Sequence, residues 1–445
     1  MKKQRRILWC VFAILLLAAC TGCGGSGSGK LADEVQFPRY EDNGTSFRLA
    51  AYWPPSNFLR TDQHYREMAE ANINYVYGRE NTYGSRLEAL DLCAKYNMKY
   101  LLYDRVIEER IRNDTATGSD LRELMARVDS FSTHSAFGGV YLIDEPSFSN
   151  MNLIKMFTDA FYAKYPDLEM MVNQTSVWQS MPIYVGPDGY EGCMEATLAA
   201  SPGQLSFDNY PLYKGDPPYT STTNVNNLEI VARLAQKHKV PFYNYLQCTE
   251  AYTYDTSRAC DTYEEMAWQF NIDLAFGISG VQTYTYMSQD YSPEERIKAM
   301  LRKTGEVTET YWAFKEYTDE LIKWDYVYEK FTWDGAMLIK KAGTILDDFD
   351  TVVTARKTHP RIKSVTNTQH AMIGTFFDRE GRDGFQIVNY LDPFYKTTNT
   401  VTVEFSDAKY ALIYEKGKRK VVETEAGKLT FKFSAGEAAF VIPFN

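Results

Sequence analysis

The sequence predicts a (β/α)8 barrel followed by an all-β sandwich. Three observations carry that prediction. Between about residue 47 and residue 325, eight short apolar runs alternate with helical segments. Their spacing averages roughly 30 residues, the length of one strand–helix unit. No glycine-rich phosphate loop follows the first run, so an open nucleotide-binding sheet has no support. Beyond about residue 330, helical periodicity gives way to two-residue alternation.

The N-terminal segment reads as an export signal. Lys2, Lys3, Arg5 and Arg6 form a basic region, and the apolar stretch at 7–19 is too short to span a bilayer. The sequence Leu17-Ala18-Ala19-Cys20 resembles the lipobox of bacterial lipoproteins. That resemblance implies a signal peptide over 1–19, lipidation of Cys20, and an anchored tether over 20–46 with its glycine-rich part at 24–29. It also implies a place on the bacterial cell envelope, at the outer membrane, facing the periplasm or the surface. The 445 residues carry a net charge of −10, and removal of the four positive charges in the first 19 leaves about −14. No basic run occurs. Nucleic acid is therefore not expected as a partner, because phosphate binding needs clustered Lys and Arg.

The barrel is expected over 47–328, with strands at 48–54, 73–77, 100–104, 139–143, 169–173, 205–209, 241–247 and 280–286. Residues 86–92 continue an apolar face toward Tyr96, and 227–239 do the same through Leu228, Val231, Leu234 and Ala235. Asp261-Thr262-Tyr263-Glu264 reads as a capping box. Ser292-Pro293-Glu294-Glu295 is a further helix start, with proline at the first helical position. The sandwich is expected over 329–445. Thr400-Val401-Thr402-Val403-Glu404-Phe405 and Lys428-Leu429-Thr430-Phe431-Lys432-Phe433 alternate strictly, and Gly381, Gly384, Gly417 and Gly427 mark turns.

Four cysteines lie beyond the tether: Cys93, Cys193, Cys248 and Cys260. Cys248 and Cys260 are close enough in sequence to staple one loop, and buried free thiols are the other reading. No Cys/His cluster has zinc-site spacing, and no metal or organic cofactor is implied. Aromatic residues are abundant, with 33 Tyr, 25 Phe and 7 Trp. Their flat faces suit sugars and also fill ordinary cores.

In a barrel, the carboxyl ends of the strands face the active site. The run from Gly138 to Pro146 ends in Asp144 and Glu145, two adjacent carboxylates on an apolar strand. The other strand ends offer Tyr52, Trp53, Pro54, Arg79, Glu80, Asp104, Arg105, Asn173, Gln174, Asp208, Asn209, Tyr210, Gln247, Gln282, Tyr284 and Tyr286, with Trp178 just beyond strand five. Carboxylates, amides and aromatics with few cations fit a neutral polyhydroxy ligand. Glycoside hydrolysis needs a carboxylic acid to protonate the leaving oxygen and, in most families, a second carboxylate at the anomeric carbon. Glu145 is the best acid, because the like charge of Asp144 raises its pKa if both point into the cleft. Strand alternation would send one of the two elsewhere.

This layout resembles the large clan of retaining (β/α)8 glycoside hydrolases, whose acid/base Glu closes strand four and whose nucleophile Glu closes strand seven. The resemblance implies Glu145 as acid/base. It covers nearly all of the mature chain, with two departures. Asp144 stands where the clan has Asn, and Gln247 stands at the depth of the nucleophile. The nearest acid, Glu250, then becomes the nucleophile, with Trp53, Asp144, Asn173, Asp208, Tyr210, Gln247, Tyr284 and Tyr286 orienting a carbohydrate substrate. The Asp144-Glu145 pair also resembles that of substrate-assisted N-acetylhexosaminidases, in which Asp orients the acetamido group that attacks. A third reading, from another class, is a non-catalytic glycan-binding surface lipoprotein.

Overall fold

The computed structural model describes residues 35–44, 46–177, 180–213, 215, 218–221, 223–249, 260–288, 299–342, 358–395 and 397–445. The signal segment, Cys20, the glycine tether, Trp178, Glu250 and the expected helix start at Ser292 lie outside them.

All eight expected barrel strands are present: β1 (Arg48–Tyr52), β2 (Tyr75–Gly78), β3 (Lys99–Tyr103), β4 (Phe137–Asp144), β5 (Glu169–Asn173), β6 (Leu205–Asp208), β7 (Phe242–Gln247) and β8 (Gly280–Tyr284). They form one parallel sheet in the order β5-β4-β3-β2-β1-β8-β7-β6. The two ends meet just past β5, where the Gln174 N–H donates to the Ser206 carbonyl at 2.9 Å and the Asp208 N–H to the Gln174 carbonyl at 3.2 Å. The sheet therefore closes, leaving no exposed edge.

Barrel interiors are ordinarily filled by branched aliphatic side chains. This one is filled by tyrosines: Tyr52, Tyr77, Tyr103, Tyr141, Tyr243 and Tyr245, with Ala50, Leu101 and Met171. At the floor, Arg48 is paired with Glu169 and lies 3.8 Å and 4.4 Å from the rings of Tyr75 and Tyr243. Six of the 33 tyrosines thus pack the barrel interior.

The helix Tyr263–Ala275 opens on a capping box one residue later than the sequence suggests. Thr262 and Glu265 close it, with the Thr262 N–H donating to the Glu265 carboxylate at 3.1 Å. This helix is buried on almost every side, because the C-terminal domain covers its outer face. That domain comprises β9 (Phe331–Ile339), β10 (Ile362–Asn367), β11 (Ala371–Asp378), β12 (Asp383–Asn389), β13 (Asn399–Phe405), β14 (Tyr410–Glu415), β15 (Lys418–Glu423), β16 (Lys428–Phe433) and β17 (Ala438–Phe444). They form a six-stranded sheet, β9-β11-β12-β17-β14-β15, and a three-stranded sheet, β10-β13-β16. Ile373, Phe385, Val401, Phe431 and Val441 lie among the core residues of this sandwich. The sandwich seats closely on the barrel. A Cβ at Gly374 would lie 2.2 Å from the Ala275 carbonyl oxygen, and the Trp333 indole N–H donates to that oxygen at 3.1 Å.

One expectation is corrected here, and one open alternative is decided. The tether does not extend to residue 46, because the Tyr40 hydroxyl donates to Asp378 at 3.0 Å and its ring packs 5.6 Å from that of Phe331. Val35 and Phe37 also pack on the core. The Cys248–Cys260 staple does not form, since all four described cysteines are buried free thiols.

Candidate active site

The end of β4 departs from a regular strand twice, and both departures bring carboxylates to the barrel mouth. Pairing with β5 skips one residue, running Tyr141 to Met171 and then Ile143 to Val172. Tyr141 lies inside the barrel, while Leu142 and Ile143 both pack in the outer layer. A bulge of this kind re-aims the next side chain, so Asp144 faces inward in register with Asn173. Glu145 then takes a φ of 42°. This left-handed turn ends the alternation, so that Glu145 also stays at the mouth instead of pointing away. Arg112 clamps the turn. Its guanidinium donates to the Asp144 carbonyl and, at 3.1 Å, to the Glu145 carbonyl, and is itself held at 2.9 Å by Glu108. Glu108 in turn accepts from the Tyr103 hydroxyl at 2.6 Å.

Asp144 accepts three hydrogen bonds. They come from Tyr52 at 3.1 Å, Tyr141 at 2.9 Å and the Asn173 amide at 3.0 Å. The same amide nitrogen donates to Asp208 at 3.1 Å, so Asn173 bridges two carboxyl groups. Its orientation is fixed from behind. Ser206 donates to the Asn173 oxygen at 2.7 Å, and Gln282 donates to Ser206 at 2.9 Å. Asp144, Glu145 and Asp208 therefore form one acidic cluster. Burial and then the charge of Asp144 push the Glu145 carboxyl up to about 7, while hydrogen bonding with Thr175 and Asp208 and the charge of Arg112 pull the other way. Burial and then the charge of Glu145 hold the Asp208 carboxyl well above the usual range. A glutamate that keeps its proton to near neutrality can act as a general acid.

An aromatic wall flanks the cluster. The rings of Tyr52 and Tyr284 lie 6.2 Å apart, and those of Tyr284 and Tyr210 4.9 Å apart. Trp53 lies under the Arg79 guanidinium at 3.8 Å. Of the residues expected to orient a sugar, Trp53, Asp144, Asn173, Asp208, Tyr210 and Tyr284 come together at the mouth. Two do not. Gln247 is buried with its amide committed to the backbone, accepting from Leu212 N–H and donating to the Leu212 carbonyl, both at 2.8 Å. Tyr286 lies past the end of β8 and is buried in the layer outside the barrel. Glu250 lies outside the described residues. Asp104, at the end of β3, is a helix cap paired with Arg86 and Arg127. Tyr141 and Arg112 were missed as site residues, and Tyr52 was offered only as a strand end; strand alternation alone marks Tyr52 and Tyr141 as inward-facing. Among the described residues, no three His, Cys, Asp or Glu side chains are grouped as metal ligands.

No protein-family model matches the chain, and no curated protein matches its sequence. Its fold does have solved counterparts. A family 5 glycoside hydrolase from Bacteroides vulgatus superposes over 89% of both chains at 10% identity, with a TM-score of 0.53. Another structure, described as a glycoside hydrolase, covers 90% of this chain and 94% of its own at 11% identity, with a TM-score of 0.54. The fold is that of solved glycoside hydrolases. At such identities the likeness is one of architecture, a barrel with a C-terminal sandwich.

Proposed function

We propose that the protein is a glycoside hydrolase in which Glu145 protonates the departing glycosidic oxygen. The observation that carries this reading is the acidic cluster. Glu145 holds its proton to about pH 7 at the mouth of a barrel, beside Asp144 and Asp208. The fold shared with two solved glycoside hydrolases supports it. Asp208 hydrogen-bonds with Glu145, so the pair is too close to bracket an anomeric carbon, and its part is to set the Glu145 proton. In the retaining mechanism the nucleophile is Glu250, and the aromatic wall with Asn173 orients the sugar. The substrate is a poly- or oligosaccharide, and the protein sits on the cell envelope through lipidated Cys20.

A second mechanism has its own support. Asp144 is held inward by three hydrogen bonds, as a residue that orients a substrate acetamido group must be. In that case an N-acetylhexosaminide supplies its own nucleophile. The test is hydrolysis of a panel of aryl glycosides and aryl N-acetylhexosaminides by Glu145→Gln, Glu250→Ala and Asp144→Asn. Loss of activity in Glu145→Gln and Glu250→Ala, with azide rescue of the latter, supports the retaining mechanism. Full activity of Glu250→Ala with loss in Asp144→Asn on N-acetylhexosaminides replaces it with substrate assistance. A wild type that binds glycans and hydrolyses none overturns the enzyme reading.

A further inference from the structure

Beside the acidic cluster, over the ends of β1, β2 and β8 and just past β3, lies a cleft of about 430 Å³. Trp53, Asn57, Arg60, Arg79, Asn81 and Arg105 line it. Glu80 also lines it, with a buried carboxylate that accepts from the Tyr100 hydroxyl at 2.7 Å, and the other charged residues lining it are arginines. Several arginines among the described residues are matched to acids: Arg48 to Glu169, Arg86 to Asp104, Arg112 to Glu108, Arg233 to Glu191 and Arg382 to Asp378. Within the cleft, Arg60 is likewise paired with Glu88.

Arg79 is different. Its Nη1 is buried and has no hydrogen-bonding partner among the described residues. Its guanidinium rests instead on aromatic faces, 3.8 Å from the ring of Trp53, 5.1 Å from that of Tyr103 and 5.8 Å from that of Tyr52. Arg105, exposed at the rim, adds a second positive charge. A chain with 58 acidic and 48 basic residues has acids to spare for pairing, yet these two are held at a barrel mouth. Burial of Nη1 against these rings fixes the guanidinium, and Arg79 lines the cleft. The stacked guanidinium is pre-organised, and its planar fork matches a carboxylate through two parallel hydrogen bonds. Tyr52 spans the gap to the chemistry, since its ring faces Arg79 and its hydroxyl donates to Asp144.

We propose that this cleft is a subsite for a uronic acid residue of the substrate glycan, with Arg79 receiving the sugar carboxylate. The proposal rests on the reading of the barrel mouth as a glycan site, and it replaces the neutral ligand that the strand-end composition suggests. Arg79 is the specificity-determining residue, and Arg105 supplies long-range attraction.

The test measures binding without turnover, by quenching of tryptophan fluorescence and by calorimetry. D-Glucuronate and D-galacturonate are compared with D-glucose, D-galactose and D-galactose 6-sulfate. The wild type is expected to bind at least one uronate about tenfold more tightly than its neutral counterpart, as one bidentate ionic pair confers. That preference is expected to weaken with added salt. Arg79→Gln is expected to abolish it, and Arg79→Lys, which keeps the charge but not the fork, to restore part of it. Circular dichroism of each variant checks that the barrel is folded. If Arg79→Gln does not fold, the wild-type preference and its salt dependence decide the matter. Equal or weaker binding of the uronates, no uronate binding at millimolar concentration, tighter binding of the sulfate, or a preference that persists in folded Arg79→Gln would each overturn the proposal. Uronate binding by a protein that hydrolyses no glycoside would overturn the hydrolase reading and leave the subsite standing.

Discussion

Replacing Asp144 by Asn removes one negative charge from beside Glu145 and keeps the side chain's size. The Glu145 carboxyl is raised from 4.5 to about 7, with burial the largest cause and the charge of Asp144 the next. The whole displacement corresponds to roughly 3.4 kcal/mol at about 1.36 kcal/mol per unit. Asp144 supplies a smaller share than burial, and each pH unit of that share is worth about 1.36 kcal/mol. The sign follows from the charge. Without Asp144 the ionised form of Glu145 is less disfavoured, so its proton leaves at lower pH. For each pH unit by which the carboxyl falls, the protonated fraction at pH 7 drops from about one half to about one in eleven, an approximately fivefold loss of working acid. At pH 5 both enzymes keep Glu145 largely protonated, and the acid contributes no difference. The assay is kcat/KM against pH on an aryl glycoside that the wild type hydrolyses. The basic limb is expected near pH 7 for the wild type and at lower pH for Asp144→Asn. A limb that stays in place or moves to higher pH would refute the coupling. A uniform loss at every pH would instead assign Asp144 to the substrate's own reacting group.

Two further outcomes concern stability. Burial holds the Asp273 carboxyl up to about 8, against hydrogen bonds from Asn244. From about pH 4 to pH 8 the unfolded chain is ionised there while the folded chain keeps the proton, so rising pH lowers stability across that window. Asp273→Asn is expected to raise the thermal midpoint at pH 8 and to leave it nearly unchanged at pH 4. An increment independent of pH would contradict that assignment. Gly374→Ala sets a methyl against the Ala275 carbonyl and is expected to cost about 1–3 kcal/mol, read as a lower urea midpoint. An unchanged midpoint would mean that the sandwich does not seat on helix Tyr263–Ala275 as described.

Much of the barrel was legible because its signals are periodic. Apolar runs recurring once per strand–helix unit leave few alternatives, and all eight strands fall where the spacing placed them. Strict alternation likewise located β13 and β16. The geometry at the end of β4 was not legible. Leu142 and Ile143 are both apolar, so either facing looks acceptable in sequence, and a one-residue bulge leaves no compositional mark. The positive φ of Glu145 is equally silent, because nothing about a glutamate announces it. Gln247 illustrates the opposite failure. Its place at a strand end suggested the cleft, whereas a long-range partner, the Leu212 backbone, took its amide. Arg79 was legible only as a strand end, because the ring contacts that leave its Nη1 without a hydrogen bond depend on long-range packing.

The central claim is that Glu145 is the general acid. The direct measurement compares kcat/KM of wild type and Glu145→Gln on two aryl glycosides of the same sugar, one with a strongly activated leaving group and one with a poor one. An acid matters most where the leaving oxygen needs its proton. The expected result is a small loss on the activated substrate and a loss of about 10²–10⁴-fold on the other. Equal losses on both, or near wild-type rates on the poor leaving group, would contradict the assignment.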